Sequence, residues 1–514
     1  MESKSHTLSA TLLLLIILSI ILFIVKRKNP KAKKTPAPWK LPVIGHMHHL
    51  AAGGGITAPH VRLRDLARIY GPVMELQLGE ISHVLISSVE AARQVFKTQD
   101  LKFAQRPSNI ATGIITYNGA DLAQSPYNAF WRQLRKLCTL ELLSAKQVQS
   151  FRPVREEQAL EFVREIASAS TGAAAVVNLS KRIFYLTYGV TSRTAFGEVC
   201  KDREAYIPVA ADIMVTTGGF MLADFFPSWK LLQWVSGLKA RMERLHRAQD
   251  NLLRKIIHDH RMRKCEDGDD RNVGAEDLVD GLLKLQRNVV DQQGFTLTDK
   301  NIKGVIGDMF IAGSDTSSAT VEWAMSELIK NPTIMKKAQE EVRHMFGEKG
   351  KVEESRVHEL SYLKLVIKET LRLHIPAPIL IRECIEECEV GGHLIPIGTR
   401  VLINSWAIAR DPTAWDQPEE FRPERFMDGA IDYRGTNFEY LPFGAGRRMC
   451  PGISFGIANV QLPLANLLFY FNWELPNGEK FESLDMDGTF GITVKRTNEL
   501  NVVPILRYPI PVAV

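Results

Sequence analysis

Hydrophobic and polar residues follow a helical period along most of the chain. Apolar side chains three and four positions apart are typical of amphipathic helices, and this spacing recurs at 91–99, 129–144, 155–168, 238–264 and 332–346. The segment 73–88 instead alternates residue by residue and turns at Gly79-Glu80, which predicts a β-hairpin. Short apolar strands with prolines follow at 389–403. The pattern predicts a mainly α fold with a minor β-sheet region.

A continuous apolar run near the N-terminus departs from this pattern. Residues 8–25 read LSATLLLLIILSIILFIV, in which only Ser9, Thr11 and Ser19 are polar. A helix of this length spans about 27 Å, which is the hydrocarbon thickness of an endoplasmic reticulum membrane. The alternative is a cleaved signal peptide, but the basic run KRKNPKAKK follows in place of a small-residue cleavage site. We expect an uncleaved single-pass anchor with the rest of the chain in the cytosol.

This interpretation divides the chain into four parts. Residues 1–7 are lumenal, 8–25 form a transmembrane helix, 26–42 form a basic and Pro-rich linker, and 43–514 form one large domain. The formal net charge of +6 is carried by residues 26–34, so the charge indicates a membrane flank and no nucleic-acid-binding surface. The six cysteines are scattered, without the density of a disulfide scaffold, which indicates a reducing compartment.

Candidate chemistry is concentrated in the stretch PFGAGRRMCPG, Pro442 to Gly452. A dinucleotide fingerprint needs a third glycine where Met449 stands, and a zinc site lacks its other ligands. The interpretation that remains is a thiolate, Cys450, that holds a metal cofactor. The apolar segment after it predicts a long helix with Pro451 at its first position. Backbone N–H groups at that helix end stabilise a thiolate.

The residues around the cysteine fit a flat, anionic cofactor. Glycines at 444, 446 and 452 let the backbone approach a macrocycle. Phe443 is expected to shield the sulfur from water, and Arg448 to neutralise an anionic substituent.

At this point the chain resembles a known family. The pattern F-G-x-G-x-R-x-C-x-G resembles the signature of cytochrome P-450, the haem-thiolate monooxygenases. The resemblance implies the cytochrome P-450 fold, haem b (iron protoporphyrin IX) as cofactor and Cys450 as the proximal iron ligand. It also implies O2 as the oxidant, and it covers essentially the whole chain.

Further motifs of the family occur in the expected order. KETLRLH contains Glu369 and Arg372 on one helix face, and FRPERF contains Arg425. By resemblance these three residues form a structural trio that supports the haem pocket. The same E-x-x-R spacing at 161, 353 and 419 is interpreted as solvated ion pairs.

The stretch MFIAGSDTSSATVEW resembles the long distal helix of the family. Ala312 and Gly313 are small, which leaves room for oxygen beside the haem. The resemblance implies that Asp315 and Thr316 deliver protons to the oxygen. The alternative is a run of hydroxyl residues that hydrogen-bond back to their own helix.

Haem carboxylates need cationic partners. Trp131 and Arg135 in WRQLRK match the W-x-x-x-R propionate site of the family, Arg382 and Arg448 match two further positions, and Arg106 in AQRPS is a weaker match.

The segments that line the substrate pocket in this family are overwhelmingly apolar here, at 107–125, 304–313, 376–381 and 488–493. Asp121 and Asp308 are their only charges, so we expect a neutral, lipophilic substrate. The chain looks most like plant microsomal members that oxidise terpenoids, although a neutral alkaloid or phenylpropanoid would fit as well. Ile375 stands where the family usually has a second proline, which weakens any analogy in regioselectivity.

Partners follow from the resemblance. The chain has no flavin or nicotinamide fingerprint, so electrons are expected from NADPH through a separate membrane-bound reductase, with cytochrome b5 as a further donor. The aromatic segment 218–237 is either a helix core or a second membrane contact. A haem isomerase or dehydratase of the same fold, or a non-catalytic scaffold, is disfavoured because neither needs a proton-delivering hydroxyl.

Overall fold

The computed structural model describes residues 35–51, 58–169, 175–197, 203–218, 221–267, 276–288 and 295–511. The predicted transmembrane helix at 8–25 and the basic run at 26–34 lie outside these residues. One described helix, Ile453–Tyr470, is long and apolar enough to cross a membrane, but it is mostly buried inside the protein and is a core helix.

Helices form most of the described chain, as predicted. They are α1 (Met47–Ala51), α2 (Pro59–Tyr70), α3 (Val89–Arg93), α4 (Ile110–Ile115), α5 (Ala129–Leu137), α6 (Ala145–Ser150), α7 (Arg152–Ala169), α8 (Leu179–Phe196), α9 (Arg203–Thr216), α10 (Leu222–Phe225), α11 (Lys230–Val235), α12 (Leu238–Asp267), α13 (Leu278–Asn288), α14 (Asp299–Lys330), α15 (Pro332–Phe346), α16 (Glu354–Val357), α17 (Ser361–Leu373), α18 (Ser405–Ile408) and α19 (Ile453–Tyr470).

The strands form four small sheets. They are β1 (Val73–Leu78), β2 (Ile81–Ile86), β3 (Val177–Asn178), β4 (Ile379–Glu383), β5 (Cys388–Val390), β6 (His393–Ile395), β7 (Arg400–Asn404), β8 (Phe471–Glu474), β9 (Gly488–Thr489), β10 (Lys495–Arg496) and β11 (Asn501–Leu506). The largest sheet has the order β1-β2-β7-β4, in which only the β2–β7 pair is parallel. The hairpin predicted at 73–88 is its first pair.

Two predicted helices change their winding before they end. The segments that continue α3 and α5, Gln94–Thr98 and Cys138–Leu142, are π-helical turns. Such turns are often found at functional sites, and α5 carries Trp131 and Arg135. The hydrophobic period alone does not separate an α-turn from a π-turn.

The longest described helix, α14, crosses the middle of the protein. Thr298 caps its N-terminus in a reciprocal capping box with Asn301. From Ser314 to Ile329 almost every residue is buried, and the apolar ones join the main hydrophobic core with α7, α8, α15, α17 and α19. A helix buried on all sides needs a surrounding layer of helices, and these five helices supply it.

Candidate functional site

The loop that carries Cys450 is tightly packed against the chain. The backbone N–H of Cys450 donates to the carbonyl of Phe443 at 2.9 Å. Gly446 has φ +68, and a Cβ at this position would lie 2.6 Å from Oδ1 of Asp100 and 2.7 Å from the carbonyl oxygen of Phe96. Only glycine fits both the left-handed backbone and this close approach. Asp100 also accepts hydrogen bonds from the backbone N–H of Arg447, so the loop is held on a half-buried acid.

Burial raises the pKa of the Cys450 thiol, while a hydrogen bond from the Gly452 backbone N–H and the positive charge of Arg135 act in the opposite direction. Helix α19 begins at Ile453, with Gly452 at its N-cap. The prediction that Pro451 is the first helical residue is therefore wrong, because Pro451 and Gly452 form the turn that aims a backbone N–H at the sulfur. A donor and a nearby cation favour a thiolate once a metal replaces the proton.

At Gly313, helix α14 approaches α8 and α19, the helix that follows this loop. A Cβ on Gly313 would lie 3.1 Å from Cε1 of Phe455 and 3.3 Å from Cγ2 of Thr191. The small size of Gly313 thus allows α14 to pack against α8 and α19, which differs from the predicted role of leaving room for oxygen. Ala312 is exposed, and Thr316 and Cys450 are half-buried. Because Gly313 approaches Phe455, five positions after Cys450, the two segments are neighbours, and we call the region between Ala312, Thr316 and Cys450 the cleft.

The acid and the alcohol predicted for proton delivery point in different directions. The Thr316 hydroxyl donates to the carbonyl of Ala312 at 2.7 Å, which is the back-bonded arrangement that the sequence left open. Asp315 is buried and forms an ion pair with Lys495 of β10. Its second oxygen, Oδ2, has no hydrogen-bond partner among the described residues. The ion pair thus connects the buried carboxylate of Asp315 with the half-buried ammonium group of Lys495.

Four arginines converge beside the cleft. Arg106 donates to the Ile381 carbonyl at 2.8 Å, and Arg135 donates to the Met449 carbonyl at 2.6 Å. Arg448 donates to the Ala104 carbonyl at 2.8 Å, and its guanidinium lies 3.9 Å from the centre of the Trp131 ring. The fourth member is Arg382 of β4, which is buried. We call these residues the arginine cluster, Arg106, Arg135, Arg382 and Arg448.

The arginine cluster has a surplus of positive charge. Burial lowers the pKa of Arg382 well below its ordinary value, and repulsion by the other three arginines lowers it further. Its nearest acid is Asp100, whose own pKa is raised by burial. Arg106 Nε and Arg448 Nη1 are buried without a hydrogen-bond partner among the described residues. Because buried cations are normally paired, these donors fit the anionic carboxylates of a haem.

The trio Glu369, Arg372 and Arg425 is brought together in full. Arg372 donates to both oxygens of Glu369 at 2.8 and 2.9 Å, and Arg425 Nε donates to one of them at 2.9 Å. Glu369 and Arg372 are fully buried. The remaining donors of Arg372 reach the carbonyls of Ala409, Pro418 and Glu420.

The structure also locates Phe443 and Ile375, two residues that the sequence analysis singled out. Phe443 is half-buried and packs edge-on against Tyr433 with the ring centres 5.4 Å apart. Ile375 is 1% exposed, so the residue that replaces the usual proline is a core side chain.

The apolar segments predicted to line the pocket are adjacent in space. The N–H of Val494 donates to the Pro376 carbonyl at 2.9 Å. Ile114 and Ile311 pack against one hydrophobic cluster with Ala111 and Ile213, and Phe490 and Ile381 pack against another. The segments predicted to line the pocket thus pack through apolar side chains, and Asp121 and Asp308 are their only charges.

Sequence reasoning missed Lys495. It lies in VKRT, a stretch without a recognisable motif, and it is separated from Asp315 by most of the C-terminal half of the chain. The only signal available was a lysine next to an otherwise apolar lining segment.

Comparison with known proteins agrees with this geometry. The family model of cytochrome P450 matches residues 36–500, and the chain belongs to the cytochrome P450 family, whose members are haem- and O2-using oxidoreductases. Desmethyl-deoxy-podophyllotoxin synthase of Sinopodophyllum hexandrum is 49% identical over 98% of this chain and 97% of its own. Premnaspirodiene oxygenase of Hyoscyamus muticus is 46% identical over 93% of this chain and 94% of its own.

A solved structure shows the same fold. A zebrafish cytochrome P450 structure with progesterone superimposes with a TM-score of 0.73 at 26% identity, and the match covers 88% of this chain and 100% of the other. The predicted mainly helical cytochrome P-450 fold with small sheets is confirmed.

Proposed function

We propose that the protein is a haem-thiolate monooxygenase that inserts one oxygen atom from O2 into a neutral, lipophilic small molecule. One observation carries the proposal. A half-buried cysteine that accepts a hydrogen bond from a backbone N–H lies beside four arginines that outnumber the acids near them. When bound, the haem supplies O2 activation and oxygen transfer. The roles assigned in the next two paragraphs belong to side chains of this chain.

Cys450 is the proposed iron ligand, with Phe443 as its shield from water. Arg106, Arg135, Arg382 and Arg448 neutralise the haem carboxylates, and Trp131 stacks between two of them, with guanidinium distances of 3.9 Å for Arg448 and 5.5 Å for Arg135. Arg135 has a second task, since its charge also favours the thiolate form of Cys450.

Thr316 and Asp315 are proposed to supply protons in the cleft. The Thr316 hydroxyl donates to Ala312, which leaves its oxygen lone pairs free to accept from a water in the cleft. Asp315 keeps one unpartnered oxygen, while the other contacts Lys495. Lys495 is half-buried and connects Asp315 to solvent, so this carboxylate is placed to collect a proton and pass it on.

A terpenoid is the proposed substrate class. The apolar walls of the cleft support a neutral hydrocarbon-rich molecule, and one relative is named for premnaspirodiene. The relative with 49% identity is named for a podophyllotoxin, which keeps a phenylpropanoid or an alkaloid as the second candidate. An isomerase or dehydratase remains a remote alternative.

We propose an endoplasmic reticulum enzyme with a cytosolic domain, anchored through residues 8–25 and supplied with electrons from NADPH by a separate reductase. A second membrane contact is supported by α11. Leu231 and Trp234 of this short helix are 71% and 80% exposed, and Trp229 just before it is 48% exposed. Phe225 and Phe226 in the same aromatic segment are buried, so they belong to the core.

Replacement of the cysteine tests the proposal. Cys450→Ala is expected to abolish the red-shifted absorption band of the reduced carbon monoxide complex. Cys384→Ala removes another buried thiol away from the cleft and is expected to keep the band. A Cys450→Ala protein that retains the band contradicts the ligand assignment.

The substrate class is tested by co-expression with a reductase and a panel of terpenes, neutral alkaloids and phenylpropanoids, with products read by mass spectrometry. Products from the non-terpenoid members alone would replace the terpenoid proposal by the second candidate.

To test on which side of the membrane the domain lies, a glycosylation site other than the natural one is needed. The natural sequon at Asn178 is engaged in structure, since its Oδ1 accepts the Lys181 N–H at 2.9 Å and its Nδ2 donates to Glu499. Glu359→Asn creates a sequon with Ser361 on an exposed turn. A cytosolic domain leaves both sites unmodified, and a mass shift removed by endoglycosidase contradicts the topology.

A further inference from the structure

The two acids of the apolar lining segments are in contact with each other. Asp121 is fully buried in the segment after α4, and Asp308 is a half-buried residue of α14. Asp308 Oδ2 accepts the backbone N–H groups of Leu122 and Ala123, the two residues after Asp121, so the two carboxyl groups are neighbours. Burial and mutual repulsion raise the pKa of Asp121 well above its ordinary value, and burial raises the pKa of Asp308 to about 6. Adjacent carboxylates in a buried site do not both ionise, which favours one shared proton.

The segment around Asp121 is docked on one face of α14. Nδ2 of Asn301 donates to the Ala120 carbonyl at 2.9 Å, and Oδ2 of Asp308 accepts the backbone N–H groups of Leu122 at 2.9 Å and Ala123 at 3.0 Å. Between them, a Cβ on Gly304 would lie 3.0 Å from the Cα of Asp121. Positions 301, 304 and 308 share a helix face, and Ala312 is the next residue in the row. The docked segment thus ends about one helical turn from Ala312, at the edge of the cleft.

The same segment is strained and is held on its other side by the proposed haem site. Tyr117, Asn118 and Gly119 all have positive φ, at 54, 61 and 76, which is unfavourable for the first two. The Leu122 carbonyl accepts Nε1–H of Trp131 at 2.9 Å, and the Ser125 carbonyl accepts a hydrogen bond from Arg448. Strain of this kind persists only where surrounding contacts hold it.

We propose that Asp121 and Asp308 form a proton-sharing latch that fixes residues 120–124 as a wall of the cleft. Asp308 is the positioning residue, because it accepts the two backbone N–H groups that face it. Asp121 donates the shared proton. The latch then carries a single negative charge. The role of the latch in admitting a neutral substrate rests on the proposed function. The structural proposal, that the latch fixes residues 120–124, does not rest on it.

The charged groups around the latch support one shared proton. Arg106 attracts both acids, and Arg448 attracts Asp121. The Cys138 thiol, on the turn after α5, is also near Asp308, and burial together with the charge of Asp308 raises the pKa of this thiol. These arginines balance one negative charge on the pair of acids. Burial opposes the ionisation of the second acid. The pKa values of Asp121 and Asp308 are both raised in the folded protein. The latch therefore stabilises the folded segment fully at lower pH, and this stabilisation is lost as pH rises and the last proton leaves.

Amide hydrogen exchange of the haem-loaded full chain tests the latch without turnover or a known substrate. We expect Asp308→Ala to increase exchange at Leu122 and Ala123 at least tenfold at pH 7, after correction for intrinsic rates. Asp308→Asn retains an oxygen that accepts both N–H groups and is expected to restore most of the protection. Glu322→Gln is the matched control, since it removes another buried acid of α14, one hydrogen-bonded to Ser180, and no change is expected at residues 122 and 123.

The shared proton has its own test. In Asp121→Asn the side-chain amide donates permanently in place of the acid, so protection is expected to equal that of the wild type at pH 6. From pH 6 to 9.5 the wild type should lose protection relative to Asp121→Asn. Profiles that coincide over this range overturn the shared proton, and wild-type protection in Asp308→Ala overturns the latch. A failure of monooxygenase activity would affect neither result.

Discussion

Two buried groups of charged residues in this protein differ in whether their buried hydrogen-bonding atoms all have partners among the described residues. In the trio of Glu369, Arg372 and Arg425, the carboxylate receives donors from both arginines, and the remaining donors of Arg372 reach backbone carbonyls. In the arginine cluster, by contrast, two buried nitrogen atoms have no partner among the described residues.

This difference separates a structural network from a binding site. A complete network holds loops together and has no capacity left for a ligand. An incomplete one is tolerable only if a partner from outside the chain completes it. The comparison therefore assigns Glu369 to folding and Arg382 to anion binding, and each assignment predicts a different kind of damage.

The largest effect is expected from breaking the complete network. Glu369→Ala leaves two buried arginines without their carboxylate, which costs about 3–5 kcal/mol of stability. We expect little folded, haem-containing protein, measured by the yield of the carbon monoxide complex and by urea unfolding of what remains. Glu353 lies in another copy of the E-x-x-R spacing, where it is half-buried and pairs with Lys349. Glu353→Ala is expected to change stability by less than about 1 kcal/mol. Equal losses in the two variants would remove the distinction.

The incomplete cluster should lose its ligand rather than its fold. Arg382→Met removes a buried cation whose only other hydrogen bond in the described structure reaches the neighbouring Ile381 carbonyl. We expect haem to transfer to an acceptor protein about 10 to 100 times faster, because a charge-assisted hydrogen bond is lost. The fold, followed by far-ultraviolet circular dichroism, should persist.

Arg400→Met is the control for this variant. Arg400 lies opposite Glu383 in the β4–β7 register and is attracted by Glu383 and Asp224, so its charge is balanced within the protein. Haem retention in this variant should match the wild type. Faster haem loss from Arg400→Met than from Arg382→Met would contradict the assignment of the cluster.

The ion pair of Asp315 and Lys495 is intermediate between the complete trio and the incomplete arginine cluster. One oxygen of Asp315 is paired, and the other has no partner among the described residues.

Thr316→Ala should keep haem and substrate binding but lower the ratio of product to NADPH consumed about threefold or more, because the hydroxyl that orients a proton donor is lost. Peroxide formed in parallel is the complementary measurement. A wild-type ratio would mean that Thr316 is only a helix hydroxyl that bonds to Ala312.

A smaller effect on the same route is expected from Lys495. Lys495→Met removes the partner of Asp315, and turnover should slow a few-fold while the product ratio changes less, since the supply of protons and not their final transfer is affected. Lys495→Arg keeps the charge and should restore the rate. A rate that falls equally in both variants would indicate a packing defect of β10.

Much of the fold is encoded locally. The apolar spacing predicted the helices that became α3, α5, α7, α12 and α15, and alternation predicted the β1–β2 hairpin. These patterns succeed because a helix or hairpin buries one face whose period the sequence displays directly. The bounds of π-turns and the start of α19 at Ile453 were not predictable, because they depend on packing around the Cys450 loop.

The candidate site divides in the same way. The sequence by itself determined the glycine-rich loop, its single cysteine and the motif residues around it, because these are encoded in consecutive positions. The tertiary structure decided that Gly313 packs against Phe455, that Asp315 meets Lys495 and that Asp308 accepts the N–H of Leu122, a residue 186 positions away. Such contacts depend on how the helices cross, and no local period records which distant charge or backbone group will fill the space beside a given side chain.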